Sequence, residues 1–439
     1  MKNLIKQILN NSIEKKNESV FVYSIFFFYI VKNILQLIKK KNKPLVLAID
    51  RPRFNLDAKQ LKKNKDIRLI VISRKIFYFV GKIFIEKDFQ LQSSYHFRNE
   101  KDIELWNKTI GMIHEDIHVN IENFKEKLVQ HYEDKRRLFS YYEYFYKKYL
   151  QKINISHVLL SNVDYWEVQE FSKVCKKNGA KINVLYRESI ASPKQNNYLK
   201  NYYSSDIFEK LLIDKIFVFG KKALLIFENT HFISNENVHS VGAPRIDEYK
   251  KIKTSPKQNM VTLFDFSLPS YKLQNTAIET IKILNNLAKK YPKTHFLIKT
   301  KTYKETKKIL SMKIVDISSN IKVSNKVKMK KIMKKSKIII GTNTTAVLET
   351  LFLDTYFIFP SWNIEDNDLD NLIVNSNLDK DSLIVSLDRI NFERKIESML
   401  NSHINIGEKE LEVREKIILE NFEDFLFNSS TKMVNFLVA

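Results

Sequence analysis

The chain has 439 residues, 44% of them hydrophobic and 12% aromatic, and a formal net charge of +24. That length exceeds one ordinary core and suits two units of roughly 200 residues each, while the apolar content excludes general disorder. The charge points to anionic partners such as phosphorylated substrates, an acidic membrane face or nucleic acid. The lysines are, however, spread along the whole chain in a composition also rich in Asn and Ile, a bias that raises charge without a binding role. A single cysteine, Cys175, excludes an intrachain disulfide and a cysteine zinc cluster, so a reducing, cytoplasmic setting is the default.

In chain order, the first feature is the apolar run VFVYSIFFFYIV at 20–31, interrupted by Lys32 and Asn33 and closed by the basic cluster 39–43. A spanning helix needs about 20 apolar residues, and no small-residue cleavage site follows. Residues 1–43 are therefore expected to form a packed helix or one lying on an inner membrane surface. His114 and His118 are four residues apart, which suits a surface helix better than a metal pair. No metal is expected.

From Pro44 onward short apolar runs alternate with charged helical stretches. Strands are predicted at 44–50, 67–73, 155–161, 180–186, 215–220 and 238–242, with helices at 103–150 and 163–178. Alternation of this kind implies a parallel sheet covered by helices on both faces. A first unit is expected over 44–250, and the polar, Pro-containing stretch 251–258 reads as a linker. The pattern then restarts. Strands are predicted at 259–266, 294–300, 320–324, 337–341 and 356–360, with helices at 272–290, 304–311 and 345–353 and a basic helix before Ser336. This second unit, 259–390, is followed by helices over 391–439. The fold class is α/β, with two doubly wound, Rossmann-like parallel sheets facing a central cleft.

In such sheets ligands sit outside the carboxyl ends of the strands, which narrows the residues to weigh. Only seven glycines occur, and Gly220, Gly242 and Gly341 each follow an apolar strand run. They mark places that need glycine's backbone freedom or its lack of a side chain. Neither GxGxxG nor GxxxxGK[ST] is present, so a dinucleotide fingerprint and a P-loop are absent. The turn Gly341-Thr342-Asn343-Thr344-Thr345 has two readings. It is either a turn with an ordinary N-cap, or a phosphate floor built from helix N–H groups and short polar side chains. Glu349 lies four residues after Thr345, on the same helix side, suited to accept from ribose hydroxyls or else simply solvated. Lys299 and Lys301 end another strand and are suited to a diphosphate. Asp265 and Ser267 end the first strand of the second unit.

On the first unit, Arg187, Glu188 and Ser189 end a strand. Glu188 there is either a base for an acceptor hydroxyl or the partner of Arg187. Asp164 is a rival base that also reads as an N-cap. Asp50, Arg51 and Arg53 end the first strand, to hold an acidic acceptor or to pair with one another.

The stretch GTNTTAVLETLFLDTYFIFPSW resembles the donor-site strand–helix–strand of bacterial surface-carbohydrate (capsule or lipopolysaccharide) glycosyltransferases. IDRPRFNLDAKQLKK, VLYRESIASP and VGAPRIDEYKK fit the same group in order, the last resembling the G-x-P-R-x-D that precedes the second domain and contains Arg245. The resemblance spans about 45–365. It implies the glycosyltransferase-B architecture, with Thr344, Thr345 and Glu349 holding the donor nucleotide and Glu188 in the acceptor cleft beside Arg187 and Arg245. Related groups carry Lys-Pro-His where this chain has Lys299-Thr300-Lys301, so the resemblance leaves the donor base open. The function expected is metal-independent transfer of a sugar from a nucleotide-sugar to a hydroxyl of a glycan or lipid-linked glycan, at the inner face of the cytoplasmic membrane. The nucleotide-sugar enters as substrate and no cofactor is expected. Alternatives are a CDP-glycerol-type polyol-phosphate transferase and a sugar-nucleotide epimerase of the same fold. A non-enzymatic alternative is a basic membrane- or nucleic-acid-binding module, although no nucleic-acid-binding motif is present and no nucleic-acid partner is expected.

Overall fold

The computed structural model describes residues 42–50, 56–74, 76, 77, 80, 124–163, 166–204, 213–228, 230–253, 257–264, 271–311, 317–341, 344–363, 373, 384–423 and 426–439. The apolar run at 20–31, the histidine pair, Arg51, Arg53, Asp164, Asp265, Ser267, Thr342 and Asn343 lie outside these residues. Among the described residues no helix is long and apolar enough to cross a membrane.

Six parallel strands form the first sheet: β1 (Leu45–Asp50), β2 (Arg68–Ser73), β3 (His157–Leu160), β4 (Lys181–Leu185), β5 (Lys215–Val218) and β6 (Val238–Ser240). Their order is β2-β1-β3-β4-β5-β6. Helices α1 (Leu56–Leu61), α2 (Phe124–Phe145), α3 (Trp166–Lys177), α4 (Pro193–Tyr203) and α5 (Lys221–Phe227) belong to this half of the chain. The second sheet holds β7 (Met260–Phe264), β8 (His295–Lys299), β9 (Ile321–Ser324), β10 (Ile338–Ile340), β11 (Tyr356–Pro360) and β12 (Val385–Ser386). It is ordered β12-β11-β10-β7-β8-β9, which is the 3-2-1-4-5-6 pattern of dinucleotide-binding folds. Its helices are α6 (Tyr271–Lys290), α7 (Tyr303–Ser311), α8 (Met329–Lys335) and α9 (Thr345–Thr350), followed by α10 (Arg389–Asn401), α11 (Glu408–Phe422) and α12 (Ser429–Val438).

Side-chain alternation explains why both sheets are sandwiched. Leu45, Leu47 and Ile49 of β1 enter one apolar cluster, together with Val158 and Leu160 of β3. Val46, Ala48 and Leu159 enter the other, which runs on without a break into the second sheet. The bridge between them includes Ile246, Tyr249 and Ile252, from a 3-10 helix over Pro244–Lys251 and the residue after it. These residues are buried in the cluster that both sheets share.

The C-terminal helices return to the first sheet. Helix α10 lies against β10, β11 and β12, whereas α11 meets α5, and α12 rests on α1 and the 3-10 helix. Arg414 of α11, 2% exposed, donates to Leu353 O and Thr355 O at 3.0 and 2.7 Å. Asp247 accepts from Ser429 N and Ser430 N, both at 2.9 Å, and Lys215 Nζ donates to Phe436 O at 2.6 Å. An anion thus sits at the start of α12 and a cation at its end, as the helix dipole favours. Two strand-end glycines admit this return. A Cβ on Gly220 would lie 2.3 Å from the Asn421 carbonyl carbon, and one on Gly242, where φ is +75°, would lie 2.3 Å from Ser429 Oγ. Two doubly wound sheets joined this way form the glycosyltransferase-B architecture expected from the sequence.

Candidate functional site

Strand order reverses between β1 and β3 in the first sheet and between β7 and β10 in the second. Ligands of doubly wound folds lie at such switch points, beyond the strand carboxyl ends. At the second switch point β10 ends in Ile340, paired with Leu263 of β7, and Gly341 follows. A Cβ on Gly341 would meet Val347 Cγ2 at 2.8 Å and Phe264 Cβ at 3.3 Å. The glycine therefore lets α9 seat closely on β7. Thr344 is the N-cap of α9 with extended backbone, and its side chain makes no capping hydrogen bond. The helix closes instead through the backbone, Val347 N donating to Thr344 O at 3.0 Å. Thr345 opens the helix and is half-buried.

Glu349, on the same helix, is 7% exposed. Its Oε1 accepts from Arg245 Nε at 2.7 Å, and its Oε2 accepts from the Tyr249 hydroxyl. Arg245 comes from the 3-10 helix after β6 and continues the network. Its Nη1 donates to Asp57 Oδ2 at 3.1 Å, and its backbone N–H donates to Asp57 Oδ1 at 2.9 Å. Arg187, two residues after the end of β4, brings Nη2 to 3.6 Å from Asp57 Oδ2. The Arg245 guanidinium also lies 4.7 Å from the centre of the Phe219 ring. Burial alone would push the Arg245 guanidinium down, but the Glu349 and Asp57 carboxylates outweigh it and hold it above its ordinary value. Burial, then Glu349, raises the Tyr249 phenol well above its usual range. Two guanidinium groups and two carboxylates balance in charge, which makes their common burial tolerable.

The network joins residues that follow β1, β4 and β6 with one that follows β10. It thereby sets the carboxyl ends of the two sheets facing each other. Arg187, Arg245 and Glu349 were singled out by the sequence and are brought together. Asp57 and Tyr249 were not singled out, although both stood inside quoted motifs. Tyr249 and Arg245 lie in one 3-10 helix and meet through their shared partner Glu349. Nothing local marks Asp57, whose partner Arg245 is 188 positions away.

The other expected residues are placed as follows. Lys299 turns its ammonium to Thr300 O at 2.6 Å and Asn325 O at 3.1 Å, and burial lowers its pKa. Lys301 has an exposed side chain. Its backbone N–H and that of Thr302 both donate to Glu305 Oε2 at 2.7 Å, while Glu305 N donates to Thr302 Oγ1 at 3.2 Å, a capping box that starts α7. Asp50 ends β1, and Glu188 lies within the single 3-10 turn Arg187–Ser189; the side chains of both fall outside the described residues. Ser161, at the end of β3, was not expected. It is 4% exposed, its hydroxyl has no partner among the described residues, and it lines a cavity of about 10 Å³ beside Ile49 and Arg187. That space is about the smallest that admits a single water.

No family model matches the chain, and no curated protein matches it. Among solved structures, it is similar to a UDP-GlcNAc 2-epimerase from Neisseria meningitidis bound to UDP-GlcNAc. The identity is 14% and the TM-score 0.49, over 90% of this chain and 99% of that one. It is also similar to S. aureus MnaA with UDP, at 13% identity and a TM-score of 0.47 over 90% and 96% of the two chains. A glycosyltransferase from Rickettsia africae matches at 12% identity and a TM-score of 0.45, over 90% of this chain and 99% of that chain.

Proposed function

We propose that the chain is a glycosyltransferase that moves a sugar from a nucleotide-sugar to a hydroxyl of a bacterial surface glycan, without a metal. The observation that carries this reading is the buried contact of Arg245 with both Asp57 and Glu349. It apposes the carboxyl ends of two doubly wound sheets, each with its own switch point, so that one wall suits a donor and the other an acceptor. On the donor wall, Thr344 offers a hydroxyl that the helix start does not use, between Gly341 and Thr345, with Thr342 and Asn343 preceding it in the sequence and the exposed Lys301 following β8. A carboxylate has about four acceptor sites, so Glu349 retains capacity for a ribose hydroxyl beyond its two protein bonds.

In this scheme a base on the acceptor wall, Glu188 or its rival Asp164, takes the proton of the acceptor hydroxyl. The oxygen forms a bond to the anomeric carbon, the bond from that carbon to the phosphate oxygen breaks, and the nucleoside phosphate leaves with the electron pair. Hydrogen-bond donors and lysine charge on the donor wall stabilise the charge that develops there. The basic surface and the apolar run at 20–31 support work on a lipid-linked acceptor at the inner membrane face.

The test is thermal unfolding of the purified chain with UDP, CMP, CDP, GDP and their sugar conjugates. One base is expected to raise the midpoint, because a ligand at 100 times its Kd stabilises the folded state by about 2.7 kcal/mol. Loss of response to every nucleotide, with or without a glycan acceptor, would overturn the reading. Product analysis then separates transfer from epimerisation, which consumes nucleotide-sugar with no acceptor, and from polyol-phosphate transfer.

A further inference from the structure

At the amino ends of the second sheet, on the edge away from the cleft, lies a polar hollow of about 500 Å³ lined by Lys257, Asn259, Lys337, Ser402 and His403 among others. These residues come from three places. Lys257 and Asn259 belong to the stretch that brings the chain from the first sheet into β7. Lys337 precedes β10. Ser402 and His403 follow α10, where the chain sets out toward α11 and the first sheet. Both crossings between the sheets therefore wall the same space.

The two lysines hold their ammonium groups in fixed places. Lys257 Nζ donates to Met333 O in the last turn of α8 at 2.8 Å, and Lys337 Nζ donates to Leu400 O in the last turn of α10 at 2.8 Å. Capping a helix end is a sufficient structural reason for one bond each. An ammonium carries three donors, however, so capping leaves two on each lysine. Among the described residues no carboxylate lines the hollow, and burial pushes Lys257 down to about 8, with Asp354 offsetting only part of it. Burial lowers Lys337 as well. The return segment is held in shape by Tyr356, whose hydroxyl donates to His403 O and accepts from Asn405 N, both at 3.0 Å. The volume is that of a small-metabolite site rather than of a macromolecular interface.

We propose that this hollow binds a small phosphorylated molecule, its phosphate held between Lys257 and Lys337 with Ser402 and His403 at the rim. An anion there satisfies the remaining ammonium donors and offsets the cost of burying each cation. It also ties the incoming stretch at Lys257 to the outgoing stretch at His403, so occupancy bears on both connections between the sheets. The site is separate from the proposed donor wall, which lies at the opposite ends of the strands.

The probes are inorganic phosphate and pyrophosphate, used with the full chain at constant ionic strength. In the first measurement, lysines of the wild-type chain are acylated with and without phosphate and quantified by peptide mass spectrometry, with exposed Lys289 as reference. Lys257 and Lys337 are expected to be protected at least about threefold, and Lys289 unchanged. In the second, calorimetry compares wild type with Lys257→Gln, Lys337→Gln and the exposed control Lys289→Gln. Either of the first two variants is expected to weaken phosphate binding about tenfold, with Lys289→Gln binding as wild type does. Unprotected Lys257 and Lys337, or Lys257→Gln and Lys337→Gln variants that bind as Lys289→Gln does, would each overturn the proposal. If the Lys257 and Lys337 variants both fail to fold, the protection experiment decides alone.

Discussion

Two turns at strand carboxyl ends, 187–189 after β4 and 341–345 after β10, look alike as strings of polar residues but are used differently. In the first, Ser189 is 1% exposed, and its hydroxyl donates to Tyr186 O and accepts from Phe219 N. Arg187 beside it approaches Asp57. Those polar groups are consumed by the fold. In the second turn, Gly341 is explained by the close approach of Val347 and Phe264, yet the Thr344 hydroxyl is not spent on capping. The contrast teaches that a polar residue at a strand end becomes a binding candidate only when the fold has not already used its hydrogen bonds.

The strongest way to break the comparison is Arg245→Ala, which removes the link between the two walls. It leaves Glu349 buried without its cation and Asp57 with only Arg187 at 3.6 Å, and losing one partner of a buried ion pair costs about 3–5 kcal/mol. Urea unfolding is expected to show that loss as a lower midpoint. Arg245→Met with Glu349→Gln is expected to cost less than the sum of the two single changes, because the residues share one network. A cost for Arg245→Ala below about 1 kcal/mol would place the pair among exposed surface bridges, and the two walls would not be joined by it.

Eleven of the twelve described strands were legible because parallel strands buried on both faces read as nearly continuous Ile, Val and Leu runs; the two-residue β12 (Val385–Ser386) was not predicted. Predicted ends differ from the observed ones by one or two residues, as at 155–161 against His157–Leu160, the usual uncertainty at element termini. Helix α4 was missed although its start was written plainly. Ser192 and Gln195 form a capping box around Pro193, which opens the helix. The scarce glycines were informative, since Gly220, Gly242 and Gly341 all sit where another element passes too close for a Cβ. The site was less legible. Spacing put Glu349 on the same helix side as Thr345, but what faces that side is set by chain more than a hundred residues away. No local pattern carries that information.

A smaller change tests the consumed turn by itself. Ser189→Ala keeps the volume nearly unchanged but strips the Phe219 N–H of its hydroxyl acceptor, and Phe219 is fully buried. An orphaned buried donor costs about 1–3 kcal/mol. Unfolding midpoints are expected to fall accordingly, with nucleotide binding at saturating ligand unchanged. A variant as stable as wild type would mean that Phe219 N–H finds another acceptor, and the turn would then be less committed than its geometry indicates.

Thr344→Val has the smallest expected effect on stability and separates the two uses of a polar turn most sharply. Valine matches threonine in shape and in its preference for extended backbone, and Thr344 is extended. A threonine that capped α9 would cost about 1 kcal/mol on losing its hydroxyl. Because this one makes no such bond, the unfolding midpoint is expected to move by less than about 0.5 kcal/mol equivalent. Nucleotide affinity is expected to fall instead, by about ten- to a hundredfold, the worth of one hydrogen bond to a charged phosphate. Both readouts are needed. Lost stability with affinity intact would return Thr344 to the role of a cap and make the two turns equivalent. Stability and affinity both intact would leave the hydroxyl without a role, and donor phosphate would then have to be held by other groups of the wall. Only the combination of an unmoved midpoint and a weakened nucleotide supports a hydroxyl that the fold leaves for a ligand.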